Sequence, residues 1–130
     1  MKELENWLRK AENDLASANK LRAGHDPIND AAIYHAQQCA EKILKAFMLA
    51  EQIDIPRTHD LELLIEILSE VDSAFSQLTE YAEALTPYAT AFRYPGIDFE
   101  PSDEEVAEAI RMAESILAFT REKLTGRNWD

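Results

Sequence analysis

Four side chains able to hold an anion or move a proton recur along one stretch of the chain. They are His35, Gln38, Lys42 and Lys45, separated by steps of three, four and three. On a helix those steps fall on one face, with Tyr34, Gln37 and Glu41 on the adjoining stripe. A lysine, an amide and an imidazole on one wall can hold a phosphate and a base. The competing reading is a solvated polar face, in which Glu41 and Lys45 form an i,i+4 ion pair worth roughly 0.2–0.5 kcal/mol.

Two further groups have the same character. His59 follows Thr58 where a helix is expected to begin, and Arg57 precedes both. The free N–H groups and dipole of a helix N-terminus attract anions, so a phosphate can sit there. A histidine in that position can equally bond a neighbouring carbonyl and fix the turn. Farther on, Tyr88, Arg93 and Tyr94 gather at a helix end, and Arg93 is the one Lys or Arg between Arg57 and Arg111. A guanidinium between tyrosines can grip phosphate while the rings stack a base. Alternatively, it balances the dipole of the helix C-terminus, with the rings packed beneath the loop.

Other chemistries find less support. Glu104, Glu105 and Glu108 match half of the magnesium motif of all-α nucleotide pyrophosphatases, but the second acidic pair is missing. First-turn acids stabilising a helix N-terminus account for them. There is no Glu-x-x-His pair for a di-iron site, no zinc spacing among the three histidines and no Gly-rich phosphate loop. No metal or cofactor is expected. Cys39 stands on an apolar side and is expected in the core.

The elements that must position these groups all read as helices. Leu4, Trp7, Leu8, Ala11, Leu15, Ala18 and Leu21 recur at helical spacing, and Gly24 ends that segment. Asp26 as N-cap with Pro27 at the first position predicts the start of a second helix. Its apolar side carries Ile33, Ala36, Ala40, Ile43, Leu44, Phe47 and Met48, and it runs to about Gln52. Thr58 is expected to cap a short third helix with Leu61, Leu64, Ile65 and Leu68 inward. A fourth spans about Ser73 to Phe92, kinked or broken in two near Pro87. Ser102 and Glu105 form a capping box for the last, which Gly126 closes. Short connections predict an all-α, up-and-down bundle of four to five antiparallel helices. Residues 1–126 make a single domain, and 127–130 a flexible tail.

Composition sets the remaining bounds. The 130 residues include 25 Asp and Glu against 13 Lys and Arg, a net charge of −12. A field of that sign repels polyanions, so any nucleotide contact needs a local basic site or a partner supplying positive charge. No apolar run approaches the roughly 20 residues of a membrane span, and the charged N-terminus has no signal-peptide pattern. The expected location is cytoplasmic, with no role for membrane or DNA.

Three stretches, taken in order, resemble the HEPN domains, a family of small helical proteins. They are His35–Ala46, Pro56-Arg-Thr-His-Asp-Leu61 and Ala91-Phe-Arg-Tyr-Pro95. The likeness extends over nearly the whole chain. It implies a bundle of four to five helices that forms a homodimer and partners a minimal nucleotidyltransferase, as in toxin–antitoxin and related two-component systems. A cleft of His35, Gln38, Lys42, Lys45, His59, Tyr88, Arg93 and Tyr94 would then bind a nucleotide or RNA. Lys42 and Arg93 would hold phosphate, and a tyrosine would stack the base.

Many HEPN proteins are also metal-independent ribonucleases, with an arginine followed after four to six residues by a histidine. Arg93 matches that arginine, while Asp98, Phe99 and Glu100 occupy the places for the histidine. The obvious general acid–base is therefore absent. Catalytic candidates are Arg93 with a histidine from elsewhere, His59 or His35. A third reading is a structural dimerisation module, whose polar residues form a buried network.

Overall fold

The computed structural model describes residues 2–92, 95–96 and 100–126. Five α-helices occur: α1 (Lys2–Arg22), α2 (Asn29–Ala50), α3 (Leu61–Val71), α4 (Thr79–Leu85) and α5 (Asp103–Thr125). Short 3-10 helices at Ser73–Leu78 and Thr86–Ala89 flank α4. No strand occurs among the described residues. The tail at 127–130 lies outside them.

The second helix is the axis of the bundle. It packs along α1 on one flank and α5 on another, with α3, α4 and the Thr86–Ala89 turn closing the rest. That explains its composition: Ala32, Ile33, Ala36, Cys39, Ala40, Ile43, Leu44, Ala46, Phe47 and Met48 are all fully buried. An ordinary surface helix buries one stripe only. Phe47 meets Phe75 with ring centroids 4.9 Å apart, and Phe75 meets Phe119 edge-on at 5.2 Å. These rings join α2, the segment before α4, and α5 into one core.

Local signals at the helix ends hold in part. Gly24 has φ +85°, the left-handed conformation that ends α1. The Ser102–Glu105 capping box forms with both reciprocal bonds, and Gly126 caps the end of α5. Two expected caps are corrected. Ile28, not Asp26, is the residue before α2, and it offers no capping side chain; Asp30, in the first turn, accepts from the Ala31 N–H instead. The Ile28 N–H bonds the Leu21 carbonyl at 2.8 Å, which closes the turn from α1 and delays the helix past Pro27. Asn29 then donates through Nδ2 to the Pro101 carbonyl and the Asp103 carboxylate, fastening the start of α2 to that of α5.

The cap of α3 is Asp60 rather than Thr58. Its carboxylate accepts from the Glu62 and Leu63 N–H groups, while the Thr58 hydroxyl accepts from the Asp60 N–H one step earlier. The expected fourth helix is divided into three. Asp72 caps a 3-10 segment first, and a second one begins at Thr86, directly after Leu85, with Pro87 in its first turn. α2 stops at Ala50, slightly short of Gln52, which adopts φ +60°.

Candidate functional site

The polar face of α2 is not a solvated one. Gln38, Glu41 and Lys45 retain 7%, 5% and 7% of their exposure, and Gln37 retains none. Burying charge in this way is costly unless each group finds partners. The partners divide the expected single wall into two clusters on different flanks.

The first lies between α1 and α2. Asp14, on α1, accepts from Lys42 Nζ at 2.6 Å through one carboxylate oxygen and contacts His35 Nδ1 at 2.7 Å through the other. His35 and Lys42 are seven residues apart, two turns on one face of α2, so a single carboxylate reaches both. The His35 and Tyr34 rings meet nearly at right angles, 5.4 Å between centroids. His35 and Lys42 keep partial access to water, at 31% and 28% of their side-chain surface.

The second joins α2 to the segment that leads into α3. Glu41 accepts from Lys45 Nζ at 2.9 Å and contacts His59 Nδ1 at 2.7 Å. Gln37 and Gln38 each donate to Glu41 at 3.3 Å, and Gln38 also donates to the Gln37 amide oxygen at 2.8 Å. Gln37 and Lys45 bond the His59 and Thr58 carbonyls. The loop is thus held by its backbone as well as its imidazole. Burial alone would raise the pKa of Glu41. Hydrogen bonds from His59 and Lys45, with their charges, outweigh that and hold it below the usual glutamate value.

The two histidines therefore differ in presentation. The His59 side chain is 63% exposed although its carboxylate partner is 6% exposed. With Glu41 ionised, Nδ1 donates to it, and Nε2 makes no hydrogen bond among the described residues. The expected anion position at the start of α3 is filled from within. The Leu61 N–H bonds Thr86 Oγ1, and those of Glu62 and Leu63 bond Asp60. The bond to Thr86 also brings the Thr86–Ala89 turn beside the His59 segment.

Tyr88 belongs to that turn. It stacks on Phe92 at 6.1 Å, and burial followed by the charge of Glu105 raises its pKa. Arg93 and Tyr94 lie outside the described residues. Cys39 is in the core, and burial, reinforced mainly by the charges of Asp14 and Glu114, lifts its pKa to about 12. It is not a thiolate nucleophile at neutral pH.

Asp14 is the residue that the sequence reasoning passed over. It stands three after Ala11 and four before Ala18, so a carboxylate was already visible on the apolar stripe of α1. A buried acid at such a place requires a cation opposite, and Lys42 is that cation. The Glu41–Lys45 ion pair read from the i,i+4 spacing forms, but in a buried setting rather than on a solvated face.

The HEPN domain family model matches residues 4–123. Among solved structures, the chain is similar to TT1696 from Thermus thermophilus at 30% identity and a TM-score of 0.81, with 95% of this chain and 99% of that one covered. It is also similar to ST0689, described as an archaeal HEPN homologue, at 26% identity and a TM-score of 0.73, with coverages of 95% and 98%. No curated protein sequence matches it.

Proposed function

The chain belongs to the HEPN domain family, and we propose that it is a nucleotide- or RNA-binding subunit, homodimeric, that partners a minimal nucleotidyltransferase in a toxin–antitoxin-like pair. The observation that carries the ligand part of this reading is the Glu41–His59 contact. A buried carboxylate fixes an exposed imidazole by one nitrogen and leaves the other toward solvent. Such a ring offers a phosphate or a hydroxyl one oriented polar atom at little entropic cost. Arg93 and Tyr94, which follow Phe92 in the chain, are assigned to phosphate and base in the same reading.

Charge supports the partner part. Residues 58–92 contain seven Asp and Glu and no Lys or Arg. An acidic surface of this kind suits a cationic protein, and a nucleotide or RNA end reaching His59 needs positive charge from Arg93 or from that partner. Affinity purification of the tagged protein from its host tests the pairing. A nucleotidyltransferase recovered in stoichiometric amount supports it, and a lone homodimer removes it. Unchanged nucleotide affinity in both His59→Ala and Arg93→Ala would remove the site assignment.

The same contact favours a second reading, metal-independent RNA cleavage. A histidine oriented by a carboxylate is arranged as a general base, the role left vacant at positions 98–100. RNA cleavage by the purified protein, abolished by His59→Ala and by Arg93→Ala, would establish it. Gln38 and Lys45 fit the structural role better, since each is buried and internally bonded.

A further inference from the structure

On the α1 flank, away from His59, an open groove of about 410 Å³ is lined by Glu3, Asn6, Trp7, Lys10 and Lys42. Its size lies within the roughly 300–1,000 Å³ typical of small-ligand sites. The four α1 residues fall at successive steps of three, one and three, so they share one helix face. Most of the lining is apolar, and Trp7 supplies its aromatic wall, being half-buried against the core. Two of the chain's 13 Lys and Arg residues meet in this groove in a protein of net charge −12, Lys42 already bonded to Asp14 and Lys10 on the same helix face as Glu3.

The two lysines are held differently. Lys42 is anchored, its Nζ 2.6 Å from the buried Asp14 carboxylate, which sets its position beside the groove. Lys10 is exposed and forms no ion pair among the described residues. An indole face beside one fixed and one adjustable ammonium is complementary to a planar ring carrying an anionic group. Stacking on the indole tolerates any base, and the unpaired Lys10 ammonium locally counters the protein's general repulsion of anions.

We infer that the Trp7–Lys10–Lys42 groove is a second ligand site, which takes a base and its attached phosphate, either as a free nucleotide or as the end of an RNA strand. The base lies on Trp7, and the phosphate reaches Lys10. This site does not depend on the His59 contact, which lies on the other flank of α2.

Indole fluorescence tests it, in a Trp129→Phe background so that Trp7 is the sole reporter. Adenosine monophosphate and a short single-stranded oligoribonucleotide are titrated separately. Saturable quenching by the monophosphate identifies a free-nucleotide site, and quenching by the oligoribonucleotide alone identifies an RNA end. In either case Lys10→Glu should weaken binding about tenfold, the loss expected for one phosphate–ammonium contact. Lys10 has no structural partner to lose, so folding is not at issue, whereas His59→Ala should leave the quenching intact. Quenching by neither probe, or quenching indifferent to Lys10→Glu, overturns the site. A ligand-free fluorescence change that follows protein concentration would also overturn it, because a second copy would then cover the groove.

Discussion

Asp14 and Glu41 are both buried carboxylates, and each is shared by one lysine and one histidine, but they hold the molecule together in different ways. Asp14 lies on α1 and takes both partners from α2, so its contacts tie one helix to another. Glu41 shares α2 with Lys45 and reaches across only to His59, so its contacts tie a loop to a helix. Around Asp14 the lysine and the histidine are about equally accessible. Around Glu41 the lysine is sealed at 9% while the histidine stands out at 63%. The same three kinds of group thus build a clasp in one place and a presented imidazole in the other. Burial of the lysine, rather than the identity of the residues, makes the difference.

The sharpest way to break the comparison is Glu41→Ala. It would strand Lys45 in a nearly dry site with the Thr58 carbonyl as its remaining partner, and it would take one acceptor each from Gln37 and Gln38. Removing one member of a buried pair costs about 3–5 kcal/mol, more than the pair itself contributes. Urea denaturation at neutral pH should show a loss of that size. The loss should also depend on pH. Since the folded pKa of Glu41 is depressed, its contribution is fully present above the unfolded value of about 4.3 and is lost as pH falls through the folded value. The stability gap between wild type and Glu41→Gln should therefore narrow below about pH 4. A gap that widened there would show that the carboxylate is not held in its charged form.

Asp14→Ala should cost less, about 1–2 kcal/mol, because Lys42 and His35 can turn to water once released. If Asp14→Ala proved as damaging as Glu41→Ala, access to water would not be what separates the clusters. Third in size is Asp60→Ala, which removes the cap of α3 and with it two bonds to the Glu62 and Leu63 N–H groups. Losing such a cap costs about 1 kcal/mol, measurable as a lower Tm. Thr58→Ala should cost less than Asp60→Ala, since the Thr58 hydroxyl serves only the Asp60 N–H.

Those two residues show where sequence reasoning stopped. Periodicity identified the core and all the helices but the fourth, whose apolar spacing runs on through two 3-10 segments, because apolar spacing is a local property. The Ser102–Glu105 box was equally legible, both of its halves lying within one turn. Thr58 and Asp60 are both good cap residues, and choosing between them required knowing that Lys45 holds the Thr58 carbonyl from another helix. Asp26 failed for a related reason: the backbone bond from Ile28 to Leu21 settles where α2 starts, and no side-chain rule contains it. The site was legible as a list of residues but not as a geometry. His35, Gln38, Lys42 and Lys45 share a helix face, yet Asp14 and His59, distant in sequence, divide them between two clusters.

The smallest expected effect on stability is also the one that sharpens the comparison most. His59→Ala removes a side chain that is mostly in water, and Glu41 keeps Lys45, Gln37 and Gln38 as donors. The loop keeps its backbone bonds to Gln37 and Lys45 as well. The cost should be about 0.5 kcal/mol, near the limit of a denaturation measurement. If the imidazole is there to be presented, nucleotide or RNA binding at this flank should fall by about tenfold or more in a protein of nearly unchanged stability. A His59→Ala protein that lost more than about 2 kcal/mol would place the ring among the structural members of the network. Measuring stability and binding on the same variant separates the two roles, because a clasp reports in the first and a presented group in the second.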